Sequence, residues 1–159
     1  MELTINQKAF LDMIAISEIG RALLDASDNG YNVIVGSTFL KPDLFTDYSD
    51  HPRKLVHFTN GIPSSTAAGR YQIKQSIFDF YTKQLNLDRT FSKDNQDAIA
   101  MQLIKECHAI DLINNGKITS AILRCSSRWA SFPGNQDQQH INNITDLIEA
   151  YTESGGILN

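Results

Sequence analysis

Apolar residues recur at helical spacing at both ends of this chain and lose that spacing between them. Thr4 and Gln7 form a capping box that opens a helix. Phe10, Met13 and Ile14, joined by Ala9, give that helix one apolar face. It is expected to run to about Ser17 or Glu18, with Gly20 as its stop. Residues 30 to 73 change character: they hold Gly30, Gly36, Gly61 and Gly69 and three of the four prolines. Within them Tyr31–Val35 reads as a short strand, Leu55–Phe58 as a weaker one, and Asp47–Pro52 as turn chemistry. From Tyr71 onward the spacing is helical again, with Ile73, Ile77, Phe80, Tyr81 and Gln84 on one face. Ser92 caps a further helix whose Ile99, Leu103 and Ile104 face inward. Gly116 ends a short helix, and Thr119 starts another carrying Ile122 and Leu123. The last helix sets Ile141, Ile144, Ile148 and Tyr151 on one stripe and stops at Gly155-Gly156.

One helix, a small β region and then several helices make an α+β fold with its strands segregated. The 159 residues suit a single domain over positions 1–159. A small β region and a mainly helical lobe are expected to flank a cleft, the kind of place where ligand sites form.

Composition narrows the function classes. Apolar residues are 42% and charged residues 20% of the chain, an ordinary globular balance. The net charge of −4 argues against a nucleic-acid partner, which calls for a basic excess or stripe. No apolar run approaches the roughly 20 residues of a membrane helix, so no membrane anchor is expected. The opening Met1-Glu2-Leu3-Thr4-Ile5-Asn6 has no basic region followed by an apolar stretch, which predicts a protein held in the cytoplasm. Cys107 and Cys125 lie in helical apolar patterns and are expected to be free buried thiols.

Glu18 is the carboxylate with the most unusual setting. It follows Met13-Ile14-Ala15-Ile16-Ser17 and precedes Ile19-Gly20. The negative end of a helix dipole and apolar neighbours both disfavour its charged form. Such a group holds a proton near neutral pH, as a general acid for glycosidic bond cleavage must. By spacing alone, a solvated residue on the polar side of the helix remains the alternative.

Several separated strings bear a resemblance. Lys8-Ala9-Phe10-Leu11-Asp12-Met13-Ile14-Ala15-Ile16-Ser17-Glu18, Gly30-Tyr31-Asn32-Val33-Ile34-Val35-Gly36, the run from Leu44 to Val56, Ala68-Gly69-Arg70-Tyr71-Gln72, and Arg124-Cys125-Ser126 through Trp129-Ala130-Ser131-Phe132-Pro133-Gly134 resemble, in order, the lambda-type phage endolysins. The resemblance implies a lysozyme-like fold and lytic transglycosylase activity on peptidoglycan. In that reaction the bond between N-acetylmuramic acid and N-acetylglucosamine is cut, and the muramic C6 hydroxyl closes onto C1 to give a 1,6-anhydro sugar. It implies Glu18 as the catalytic glutamate and Tyr31, Asn32, Tyr71, Gln72 and Arg124 as substrate-binding positions, with Tyr71 and Gln72 opposite Glu18. Arg124, beside Cys125 in an apolar helix, reads either as a cleft residue or as a buried structural pair. One carboxylate suffices when the substrate supplies the nucleophile, and tethered attack gains a large effective molarity.

The resemblance has departures. Ile19 stands where the family usually has Gly, and Asn32 where it usually has Asp. The segment Ser37–Asp43 is longer than expected, and Asn135–Gln139 stand where a cleft-facing Tyr is usual. A hydrolytic lysozyme using Glu18 with Asp47 or Asp50 stays open beside transglycosylation, as does a non-catalytic wall-binding module. His51, His57, His108 and His140 show no metal-ligand spacing, and Cys107-His108 are adjacent, so no metal, cofactor or thiol dyad is expected. The implied partners are peptidoglycan glycan strands and, indirectly, a holin that lets a monomer pass from the host cytoplasm to the periplasm and cell wall.

Overall fold

The computed structural model describes residues 2–134 and 141–159. Its helices among these residues are α1 (Ile5–Ile19), α2 (Arg21–Asp25), α3 (Gln75–Gln84), α4 (Lys93–Glu106), α5 (Ile110–Asn114), α6 (Ile118–Cys125) and α7 (Ile144–Glu153). The chain divides into two compact units, residues 1–18 with 100–159, and residues 19–99.

The first unit is helical. The predicted capping box is present, with Thr4 N–H donating to Gln7 Oε1 and Gln7 N–H to Thr4 Oγ1, both at 3.2 Å. The helix it opens is buried on more than one face: Leu11 and Ala15 are enclosed along with Ala9, Phe10, Met13 and Ile14. An element apolar nearly all round belongs at the centre of a core rather than on its surface. The Phe10 ring meets the edge of Phe132, which packs on Trp129. Asn6 ties the start of α1 to distant backbone: its amide donates to Ile113 O at 3.0 Å and accepts from Ile157 N at 2.9 Å. In this unit α5 packs on α6, and α6 on α7.

Two expectations here shift by a residue. Helix α6 begins at Ile118 rather than Thr119. The buried stripe of α7 is Leu147, Ala150 and Tyr151, with Ile141 exposed and Ile144 and Ile148 half-buried. Cys107 and Cys125 are free and buried, as expected.

The second unit holds α2, α3, the first turns of α4 and the glycine-rich region. The expected strands are reduced to isolated antiparallel bridges, Val33 with Leu44, Ile34 with Ala68, Val56 with Ser65, and Ala68 with Ile73. Turns at Gly30, Gly36 and Gly69, all with positive φ, flank the bridges of Val33, Ile34 and Ala68 and keep those ladders short. Helix α3 starts at Gln75 rather than Tyr71, and its buried face is Phe78, Tyr81 and Thr82, leaving Phe80 exposed.

A buried amide replaces the missing ladders. Gln96 of α4 is fully enclosed; its Oε1 accepts from Arg70 N at 3.0 Å, and its Nε2 donates to Tyr31 O and Phe91 O at 3.0 and 2.9 Å. A Cβ on Gly69 would lie 2.2 Å from Gln96 Oε1, so only glycine fits there. The Asp47–Pro52 turn forms as expected. Asp47 Oδ1 accepts from Ser49 N and Asp50 Oδ1 from His51 N, each at 2.8 Å. His51 is buried against Phe78 and Phe91, with Nε2 donating to Ile73 O and Nδ1 accepting from Arg53 N. The segment Ser37–Asp43 closes on itself: the Ser37 hydroxyl donates to Asp43 O and accepts from Asp43 N.

Candidate active site

Glu18 lies in the last turn of α1, within the first unit. Burial pushes its carboxyl above the usual carboxylate range. The opposing influence comes from Ser131, whose hydroxyl and backbone N–H both favour the charged form. The Ser131 hydroxyl donates to Glu18 Oε1. Behind Ser131 stands Ser17 Oγ, 2.7 Å from Ser131 Oγ, and behind Ser17 stands Asn142, whose Nδ2 donates to Ser17 Oγ at 2.9 Å. Ser17, Ser131 and Asn142 carried no predicted role. Ser131 is 113 positions from Glu18, and no local spacing could pair them.

The second unit gathers a different cluster. Tyr31 and Tyr71 both donate to Asp97 Oδ1, at 2.9 and 2.6 Å, and their rings meet edge to face. Burial raises the Asp97 carboxyl, and the two phenols with the nearby Arg70 guanidinium oppose that rise. The Tyr31 phenol is pushed up to about 12, chiefly by burial and the Asp97 charge. Arg70 lies over the Tyr31 ring at 5.3 Å, and Lys93 Nζ at 5.4 Å. Tyr71 is buried, whereas Tyr31 and Asn32 are part-exposed. Asn32 Oδ1 accepts from Asp28 N at 2.9 Å, so its side chain closes a turn in this unit. Gln72 is part-exposed with φ +50, and its Nε2 donates to Gly69 O at 3.0 Å. Tyr31, Tyr71 and Asp97 thus form one cluster, with Asn32 and Gln72 each bonded to neighbouring backbone. Asp97 itself was not foreseen, because its tyrosine partners come from 66 and 26 positions away.

Of the two readings open for Arg124, its exposure removes the buried pair. Arg124 lies in the last turn of α6, about 100° around the helix from buried Cys125. Ile19 finds room through a glycine: a Cβ on Gly30 would lie 2.8 Å from Ile19 Cδ1 and 2.7 Å from Leu24 Cδ2. Asn135–Gln139 and His140 lie outside the described residues.

The other candidate carboxylates have local partners. Asp47 is exposed and held below the usual range by the Ser49 backbone and hydroxyl. Both Asp50 oxygens face the Arg53 guanidinium, at 2.7 and 3.0 Å, which lowers that group as well. Arg53 in turn reaches Asp79 at 2.7 Å. Among the described residues no group of three or more His, Cys, Asp or Glu is placed to hold a metal ion. No helix of the described residues is long and apolar enough to cross a membrane. A surface hollow of about 470 Å³ beside Asn6, Asn114 and Leu158 is lined without any acidic, basic or histidine side chain.

Comparison with known proteins agrees with this picture. The chain is 46% identical to the endolysin of Escherichia phage lambda over 157 residues, covering 98% of this chain and 95% of that protein. It is 43% identical to the endolysin of Escherichia phage P2, covering 96% and 94%. The fold matches the lysozyme of bacteriophage lambda complexed with a chitohexasaccharide at a TM-score of 0.89 and 46% identity, over 100% of this chain and 99% of that one. A second structure of bacteriophage lambda lysozyme matches at 0.85 and 45% identity, with the same coverage. The fold is therefore lysozyme-like. The sequence pattern of the Endolysin family matches residues 8–158, and this chain belongs to that family.

Proposed function

We propose that this endolysin degrades bacterial peptidoglycan as a lytic transglycosylase, with Glu18 as its one acid/base. The observation that carries the reading is the Glu18 carboxyl, raised by burial and touched at Oε1 by a neutral hydroxyl. A carboxyl so placed keeps its proton at a pH where exposed acids have lost theirs. It delivers that proton to the glycosidic oxygen between N-acetylmuramic acid and N-acetylglucosamine as the bond to C1 breaks. The muramic C6 hydroxyl attacks C1, and its proton returns to the Glu18 carboxylate. The products are a 1,6-anhydromuramic end and a free hydroxyl on N-acetylglucosamine, and Glu18 ends as it began.

The engagement of Asp50 by Arg53, and of Asp47 by its own turn, supports a single-carboxylate reaction over a hydrolysis that needs a second carboxylate to activate water. Tyr31, Asn32, Gln72 and Arg124, which keep exposed surface, are assigned to sugar contacts. Tyr71, with its hydroxyl on Asp97, is assigned to holding Tyr31 in place. The enzyme acts as one domain and as a monomer. It waits in the host cytoplasm until a holin opens the inner membrane, and then cuts glycan strands in the periplasm.

The test is the wild-type protein beside Glu18→Gln on isolated cell wall. The variant is expected to lose at least about 10³-fold in cleavage rate, within the range that general acid–base groups supply. Equal wall clearing by the two proteins would remove Glu18 from the chemistry, and no clearing by either would leave a wall-binding module.

A further inference from the structure

The Glu18 carboxyl stands at the end of a run of side chains gathered from three parts of the first unit. Asn142 Nδ2 donates to Ser17 Oγ at 2.9 Å and to Ser17 O at 3.2 Å. Ser17 Oγ lies 2.7 Å from Ser131 Oγ, and Ser131 donates to Glu18 Oε1. Asn142 N also donates to Ser131 O at 2.9 Å, so Asn142 holds both serines.

Chemistry sets the direction of this run. An amide nitrogen can only donate, and the Ser17 carbonyl facing it requires the nitrogen, not the oxygen, on that side of Asn142. Ser17 Oγ therefore accepts from Asn142 and turns its hydrogen to Ser131 Oγ. Ser131 accepts there and gives its own hydrogen to Glu18. Its residue is buried, so water does not compete readily for that hydrogen.

We propose that Ser131 is a positioning residue for Glu18, oriented by Ser17 and Asn142, and that together they hold Oε1 as an acceptor so that the transferable proton is carried on Oε2. The inference rests on Glu18 being the catalytic acid. Without the Ser131 hydroxyl the proton is free to occupy either oxygen, and only one of them faces the bond to be cut. The carboxylate left after the first transfer also loses a donor, at the moment when it must accept the C6 proton.

Two readouts in the full chain test this: the pH–rate profile on isolated cell wall, and carbon-13 NMR titration of the Glu18 carboxyl. Ser131→Ala is expected to lower kcat about tenfold with KM unchanged, the loss of roughly one hydrogen bond to a charged group. Its Glu18 midpoint moves up, because the lost donor favoured the charged form. Ser131→Thr, which keeps the hydroxyl, restores both. Ser17→Ala and Asn142→Ala each lower kcat about threefold, and their double variant loses no more than the larger single loss, because both break the same run. Asn142 is part-exposed, so its variant keeps the test open whatever Ser131→Ala does to the core. An unchanged Glu18 midpoint in Ser131→Ala, or additive losses in the double variant, overturns the positioning role while leaving Glu18 as the acid. Full activity in Glu18→Gln overturns the catalytic reading instead, and the two failures are told apart by that variant.

Discussion

Glu18 and Asp97 are both carboxyls raised by burial, and they differ in what answers that burial. Asp97 gathers two phenolic hydroxyls on one oxygen and has the Arg70 guanidinium nearby. Among the described residues, the rise of Glu18 is opposed by the hydroxyl and backbone N–H of Ser131. Asp97 thus holds Tyr31 and Tyr71 together, and in the proposed reading Glu18 keeps the freedom to exchange a proton. A raised carboxyl by itself identifies neither role; the number and kind of its donors separate a working acid from a bracing one.

The comparison breaks first on activity. Glu18→Gln leaves the fold intact and removes the transferable proton, so the loss of at least about 10³-fold in cleavage is the largest effect expected of any single change here. Asp97→Ala should do the opposite. It leaves two phenols without an acceptor and is expected to cost about 2–3 kcal/mol of stability in urea unfolding. Its cleavage rate, measured well below its melting temperature, should fall far less than that of Glu18→Gln. A loss of activity matching Glu18→Gln with unchanged stability would move the catalytic role to Asp97.

A finer difference appears in stability against pH. Glu18 has its folded-state pKa raised, so it contributes most to stability below its unfolded value, and that contribution is lost as pH rises through the folded value. Replacing it by the neutral Gln removes the cost of the buried charge. Glu18→Gln should therefore melt a few degrees above wild type near neutral pH and close to it near pH 4, as read by thermal scans. An equal offset at both pH values would mean that burial does not disfavour the Glu18 charge.

How far the sequence foreshadowed this depends on distance along the chain. The Thr4–Gln7 cap, the Ser92 cap, the buried Ala9, Phe10, Met13 and Ile14 of α1 and the buried Ile99, Leu103 and Ile104 of α4 follow from neighbours within a few residues, and they stand as expected. Tyr31–Val35 and Leu55–Phe58 carried strand composition but became isolated bridges; beside the first, glycine turns cut the pairing and Gln96 took the Tyr31 carbonyl. Glu18 was legible through its apolar run and through ordered resemblance. Ser131, Asn142 and Asp97 were not, because each acts on partners brought close only by the fold.

The most direct test of the central claim is the mass of the fragments released from isolated cell wall. Transglycosylation through Glu18 predicts muropeptides ending in 1,6-anhydromuramic acid, each lighter by one water than the hydrolysed form, and none of them produced by Glu18→Gln. Fragments carrying reducing muramic ends would contradict the claim and require a water-activating group beside Glu18.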